Sequence, residues 1–434
     1  MSETTATNQQ RPAAEIDAEV VAFRAQFDQQ APLSPLDQIV RQGAQQMLQA
    51  AIEAEVREFL AVHDAKRDED GRRQVVRNGH LPTREIMTGA GRLEIKQPRV
   101  RDKTPKSKGR VTFSPSIIPR YMRKSPSIDE LIPVLYLLGV STGDFSEALQ
   151  ALVGEQARGF GPNTVVRLKE KWTEEHQQWS KRSLAGKRYV YVWADGIHVN
   201  VRLADEENRR QCILVLMGAT PDGRKELIAA QDGYRESEQS WSELLVDLKQ
   251  RGLEQAPELA IGDGALGFWA ALRKVYPTTR EQRCWVHKTA NILNDIPKAT
   301  QPRVKQALHA IWEAESRQAA EQSLAHFQEK YAAKYPKAWE RLDKDRDVLL
   351  AFYDFPAEHW RHIRTTNPIE SAFSTIRLRH RRTKGSGTRR TSLAMMFKLG
   401  THAERRWRRL NGHEKMILLL EGKKFVDGIM QDAA

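Results

Sequence analysis

Three acidic residues stand where carboxylates could do chemistry. Asp195 closes the apolar run Tyr189-Val190-Tyr191-Val192-Trp193-Ala194, and Asp263 closes Leu259-Ala260-Ile261-Gly262. Glu370 follows Thr366-Asn367-Pro368-Ile369 and opens a strongly basic helix. A carboxylate ending a buried strand is costly unless something cationic meets it. Two such strand ends with a helical Glu make a hard-oxygen cage suited to Mg²⁺ or Mn²⁺. Two ions about 4 Å apart can activate a water or a 3′-hydroxyl and stabilise the leaving oxygen of an in-line phosphoryl displacement. The chain carries 69 Lys and Arg against 56 Asp and Glu, a net charge of +13. For such a chain the expected substrate is a phosphodiester backbone.

Each carboxylate alone has a plainer explanation. Asp-Gly pairs also occur at Asp70, Asp222, Asp232 and Asp427, where a turn suffices. What distinguishes Asp195 and Asp263 is the buried strand before each. Glu370 alone is explained as the third residue of a helix capped by Asn367, with Pro368 first, where the helix dipole favours an acid. Nearby, Cys284 and His287 have C-x-x-H spacing. A zinc site needs four ligands, and no second pair is evident, since Cys212 stands alone on a strand. The expected role of His287 is local, orienting a phosphate or a carboxylate beside the acidic centre. A core Cys with a capping His is the alternative.

The elements that must position these groups follow from periodicity. Residues 188–203, 212–219 and 226–230 run apolar and β-rich, with Thr220-Pro221-Asp222-Gly223 as a turn. A helix over 240–250, a strand over 259–262, a helix over 266–276 and a strand over 282–285 follow. The order β-β-β-α-β-α-β predicts a ribonuclease-H-like α/β domain, a mixed sheet flanked by helices. Its first and fourth strands would lie side by side, bringing Asp195 and Asp263 together. From about 286 to 360 the text is helical, an all-α insertion that separates Asp263 from Glu370 in sequence only.

Upstream, residues 1–34 are a polar arm, and 35–126 hold an amphipathic helix and a hairpin, 84–88 with 92–98, assigned to DNA binding. Residues 127–184 read as helices, with Phe145–Val153 and Asn163–Lys171 resembling a helix-turn-helix in which Asn163, Thr164 and Arg167 would read DNA. Ordinary helix packing is the alternative. The catalytic domain spans 185–285 and resumes over 365–434, with the insertion at 286–364. Its end is densely basic: Arg377, Arg379, Arg381, Arg382, Lys384, Arg389 and Arg390 lead a dozen cations opposed only by Glu404. A solvated face is the usual explanation of such a run. If six to ten phosphates were neutralised, affinity would fall roughly 10³–10⁵-fold between 50 and 200 mM salt. Trp312, within the insertion, is a candidate to stack on an unpaired base.

Two cysteines are no disulfide framework, which suits a reducing cytoplasm. The first residues lack the basic and apolar regions of a signal peptide, and no apolar run nears the ~20 residues that span a bilayer.

Together, Asp263-Gly264-Ala265-Leu266-Gly267-Phe268, Tyr276-Pro277, Gln282-Arg283-Cys284-Trp285-Val286-His287-Lys288 and Thr365-Thr366-Asn367-Pro368-Ile369-Glu370-Ser371 resemble the signature of mutator-type bacterial insertion-sequence transposases. Tyr191-Val192-Trp193-Ala194-Asp195-Gly196 resembles that family's first acidic motif. The resemblance runs from about residue 36 to 425. It implies DDE catalysis with Asp195, Asp263 and Glu370 as ligands of two Mg²⁺ or Mn²⁺ ions. It also implies double-stranded transposon ends with inverted repeats, and target DNA, as partners. Cys284, His287 and Asn367 are read from the residues themselves as active-site support. Synapsis of two ends would need at least a dimer. A transposase-derived repressor and a structure-specific nuclease are the rival readings.

Overall fold

The computed structural model describes residues 35–105, 109–138, 162–201, 210–233, 235–264, 266–371, 373–374 and 387–431. They divide into two compact units, one of residues up to 132 and one comprising 133–138 and everything from 162 onward.

In the first unit, helix α1 (Pro35–Val62) accompanies four short strands: β1 (Val75–His80), β2 (Arg84–Thr88), β3 (Gly91–Ile95) and β4 (Pro98–Asp102). The expected hairpin is β2–β3, antiparallel from Arg84↔Ile95 to Thr88↔Gly91. The β1–β4 pair is additional: 75–80 and 98–102 are too charged to show a strand pattern. Ile52, Ile86, Ile95 and Ile118 form the core. The glutamines of α1 cover the free edge of β3. Gln49 Nε2 donates to Lys96 O at 3.0 Å, and Gln45 Oε1 accepts from Glu94 N at 2.8 Å. Four helical residues advance about 6 Å and two strand residues about 6.6 Å, so one helix face matches alternate strand residues.

Helix α2 (Pro126–Leu138) follows. The expected helix at Phe145–Val153 lies outside the described residues, so the first half of the expected helix-turn-helix does too. Helix α3 (Pro162–Ser180) is longer than the expected Asn163–Lys171. Its later turns bury Trp172, Thr173 and His176, and it packs on the C-terminal helix over Arg389–Glu404, with Trp179 and Phe397 rings 5.0 Å apart.

The second unit is built on a five-stranded sheet: β5 (Tyr191–Asn200), β6 (Arg210–Ala219), β7 (Lys225–Gly233), β8 (Leu259–Gly262) and β9 (Arg280–Arg283), ordered β7-β6-β5-β8-β9. The first three strands meander antiparallel, and β8 and β9 run parallel to β5. Inner strand β6, flanked by β7 and β5, is buried along nearly its whole length, so its text is a continuous apolar run without alternation. Helices α4 (Glu238–Gln250) and α5 (Leu266–Val275) cover one face, where Val192, Ala194, Leu214, Leu216 and Ala260 meet Trp241, Leu245, Phe268 and Leu272. Ser237 caps α4, its Oγ accepting from Ser240 N at 3.2 Å. Gly252 ends the turn after α4 at φ +106°, and a Cβ there would lie 2.7 Å from Ala185 N.

The insertion holds α6 (Trp285–Leu293), α7 (Gln301–Trp312), α8 (Arg317–Tyr331), α9 (Pro336–Asp343) and short turns through 363. It is tied to the sheet's other face. Tyr191 Oη donates to His359 Nδ1 at 2.6 Å, and His359 Nε2 donates to Gly412 O at 2.8 Å. Trp193 Nε1 donates to His362 O at 3.0 Å. Helix α10 (Arg389–Glu404), capped by Thr388, packs on β7 as well as α3. No described helix is long and apolar enough to cross a membrane.

Candidate active site

Parallel strands β5 and β8 pair at Tyr191↔Leu259, Val192↔Ala260 and Trp193↔Ile261. Two residues beyond the last pair on each strand stand Asp195 and Asp263. The pleat repeats every two residues, so both leave the sheet on the Trp193 side, on chains about 4.8 Å apart. Asp195 does not end its strand, as the apolar run suggested. Strand β5 continues to Asn200 because β6 keeps pairing it, Asp195 opposite Val215. What ends is β8, at Gly262. Asp195 therefore lies mid-strand, at the point where its parallel neighbour runs out.

The glycine after each aspartate admits a charged side chain. A Cβ on Gly196 would lie 2.0 Å from Glu236 Oε1, and one on Gly264 would lie 2.3 Å from Arg283 Nη2. Glu236 is a fourth carboxylate at this end of the sheet. Burial raises its pKa first, and the negative charge of Asp263 adds to the rise, while His198 and His287 oppose it. The Arg283 guanidinium, beside the Asp263 loop, is fixed by Asp345 at 2.5 Å. Like charges gathered in this way favour a proton or a cation between them.

The third wall comes from α6 and from residues 367–371, which are helical. Cys284 precedes α6, with its N–H donating to Gly262 O at 2.8 Å. Its Sγ accepts from Thr366 N at 3.3 Å and from Thr366 Oγ1 at 3.2 Å. Glu370 Oε1 lies 2.5 Å from Thr366 Oγ1 and 3.8 Å from His287 Nδ1. Cys284, His287 and Glu370 thus offer ligand atoms within 4.8 Å of one another. Burial pushes the Cys284 thiol up, but hydrogen bonds from His287 and Thr366 outweigh it and hold its pKa below the ordinary value. The His287 imidazole is raised to about 9, chiefly by its hydrogen bond to Cys284, with burial opposing and Glu370 and Asp263 adding. The pair thus draws the thiol down and the imidazole up together, with the imidazole set toward Glu370 and Asp263.

Asn367 is not the cap. The carbonyl of Thr366 accepts from Glu370 N at 3.0 Å, so Thr366 precedes the helix and Asn367 is its exposed first residue. A buried threonine can meet Cys284 and Glu370 at once, whereas Asn367 faces outward. Arg389 is held by Asp232 through two bonds of 2.9 and 2.6 Å, and Arg390 is exposed. Arg167 is exposed on α3, and Asn163 and Thr164 occupy its first turn. Arg377, Arg379, Arg381, Arg382 and Lys384 lie outside the described residues. The Arg364 guanidinium lies over the half-buried Trp312 ring, 4.5 Å from its centroid. Cys212 is not isolated, since it shares a pocket with His198 and Glu236.

Glu236, Arg283 and Thr366 were not foreseen. The two glycines were the available signal for the first pair, and the Thr-Thr before Asn367 for the last.

The donor set suits a hard divalent ion. Asp195, Asp263 and Glu370 would supply oxygen to Mg²⁺ or Mn²⁺, whereas the Cys284 sulfur, already engaged by Thr366, is no magnesium ligand.

Comparison with known proteins adds the following. A family model described as "Transposase, Mutator family" matches residues 16–405. The transposase for insertion sequence element IST2 of Acidithiobacillus ferrooxidans is 53% identical over 290 residues, 65% of this chain and 95% of that one. The transposase for insertion sequence element IS6120 of Mycolicibacterium smegmatis is 48% identical over 301 residues, 69% of this chain and 92% of its own. Among solved structures, the Drosophila P element transposase strand transfer complex aligns with a TM-score of 0.27 and 9% identity, covering 73% of this chain and 86% of that chain.

Proposed function

This chain belongs to the Mutator family of transposases, and we propose that it cuts the ends of an insertion sequence and joins them to target DNA by a DDE mechanism on a ribonuclease-H-like domain. The observation that carries the reading is the register of β5 and β8, which levels Asp195 with Asp263 beside the wall holding Glu370. In this reading the three carboxylates hold two Mg²⁺ or Mn²⁺ ions. When bound, the ions would activate a water or 3′-hydroxyl and stabilise the leaving oxygen. The chain's own groups orient the rest. Thr366 and His287 fix the Glu370 carboxylate, and the His287 imidazolium offers a donor to a phosphate oxygen. Arg283, clamped by Asp345, adds positive charge beside the Asp263 loop. Double-stranded DNA carrying terminal inverted repeats would lie along the basic segment from Arg377 to Arg390, with α3 offering Asn163, Thr164 and Arg167. A dimer or larger assembly would bring two ends together.

The test is product analysis on a duplex carrying the element's end, with target DNA and Mg²⁺. Nicked ends and joined products are expected. Cut ends without joined product would indicate a nuclease, and binding without cutting a repressor. The repressor reading fails if Asp195→Asn abolishes products while the end is still bound, and the nuclease reading fails if joined products form.

A further inference from the structure

We propose that His198, Cys212 and Glu236 form a second metal site, for Zn²⁺ or a similar borderline transition metal, on the face of β5 opposite Asp195. Three strands build it. His198 on β5 and Cys212 on β6 are direct cross-strand partners, and Cys212 also pairs with Gly233 at the end of β7. Residues directly opposite in an antiparallel pair hold their Cβ atoms about 5 Å apart. Three residues beyond Gly233 the chain returns, placing Glu236 Oε1 3.1 Å from His198 Nε2 and over Gly196, whose missing Cβ leaves the room. The three ligand atoms lie within 4.8 Å of one another. A tetrahedral zinc with bonds of about 2.0–2.3 Å sets its ligands about 3.5 Å apart, so the pocket needs to contract only slightly.

The donors decide the class of ion. One sulfur, one imidazole nitrogen and one carboxylate oxygen suit Zn²⁺ and not Mg²⁺. His198 is more than half exposed and gives the ion an entrance and water a fourth position, while Cys212 is buried. Residues 196 and 198 alternate with 195, so this pocket opens on the α4 and α5 side. Glu236, Asp232 and Asp195 add negative charge around the Cys212 thiol. That concentration of negative charge draws a cation, whose binding releases the thiol proton to solvent. The ion would fix Glu236 against Gly196, next to Asp195, and so brace the strand that carries the first carboxylate of the other site.

The experiment is cobalt substitution of the full-length, metal-stripped chain. One equivalent of Co²⁺ is expected to give a thiolate charge-transfer band with tetrahedral visible bands, displaced by Zn²⁺ but not by a large excess of Mg²⁺. Cys212→Ser removes the band, and His198→Ala and Glu236→Gln each weaken binding at least tenfold. His198 is exposed, so its replacement reports on the ion even if the serine variant folds poorly. The competing thiolate is Cys284, and Cys284→Ser is expected to keep the band. No thiolate band in the wild-type chain overturns the proposal, as does a band that survives His198→Ala unchanged or disappears in Cys284→Ser. None of these readouts needs DNA or strand transfer, so a failure here leaves the transposase reading standing.

Discussion

Two acidic settings in this molecule do opposite things. In the first unit, the two oxygens of Asp102 are taken up by backbone N–H groups, Thr104 N at 2.8 Å and Val111 N at 2.7 Å. Burial opposes its ionisation, but these bonds prevail and hold its pKa at about 2. At the sheet end of the second unit, carboxylates gather instead. Glu236 is raised by burial and by Asp263, and Glu370 shares its surroundings with a protonated imidazole. A carboxylate saturated by N–H donors organises a loop. Carboxylates gathered without such donors leave a place for a cation. Their charge alone does not separate these cases, but the partners do.

The comparison can be broken at several strengths. The largest expected effect is on chemistry: Asp195→Asn or Asp263→Asn lowers metal-dependent strand cleavage on the order of 10³-fold with the melting temperature little changed. An equal loss of melting temperature would make these acids structural, like Asp102. Next, His287→Gln, which removes the cation beside Glu370, is expected to cost about 10²-fold in single-turnover cleavage. Asp102→Asn should leave Mn²⁺ binding untouched yet destabilise the first unit by about 1–3 kcal/mol in urea unfolding. The pH dependence has a defined sign. The folded pKa of Asp102 lies below its unfolded value, so its contribution is complete above about pH 4 and fades as the pH falls toward 2. In Asp102→Asn that acid limb should flatten. The smallest effect is expected from Gly196→Ala, which displaces only the flexible end of Glu236 and costs about 1 kcal/mol. In a Glu236→Ala background that cost should vanish by double-mutant cycle.

Four strands of the sheet were legible as apolar blocks closed by turn residues, with Thr220–Gly223 marking a hairpin, whereas charged β9 starts two residues before the expected 282–285 and gives way to α6 at Trp285. Asp195 and Asp263 were legible for the same reason. Their levelling was not, because register is set by pairing across some seventy residues, and no local pattern records it. The cap of the Glu370 helix was misassigned to Asn367, whose usual preference for that position is overridden by Thr366 and its bonds to Cys284 and Glu370. Strands β1 and β4 escaped notice because half-exposed, charged strands carry little alternation. Glu236 and Arg283 reach the site through loops and a strand edge, and only the glycines that admit them leave a trace in the text. Cys212 looked solitary because its partners, His198 and Glu236, are neighbours only across strands.

The claim that Asp195, Asp263 and Glu370 form one cation cage is tested most directly by calorimetric titration of Mn²⁺ into the full-length chain and into Asp195→Asn, Asp263→Asn and Glu370→Gln. The cage predicts two ions per wild-type chain and at least tenfold weaker binding in each variant. Wild-type binding preserved in all three would contradict it.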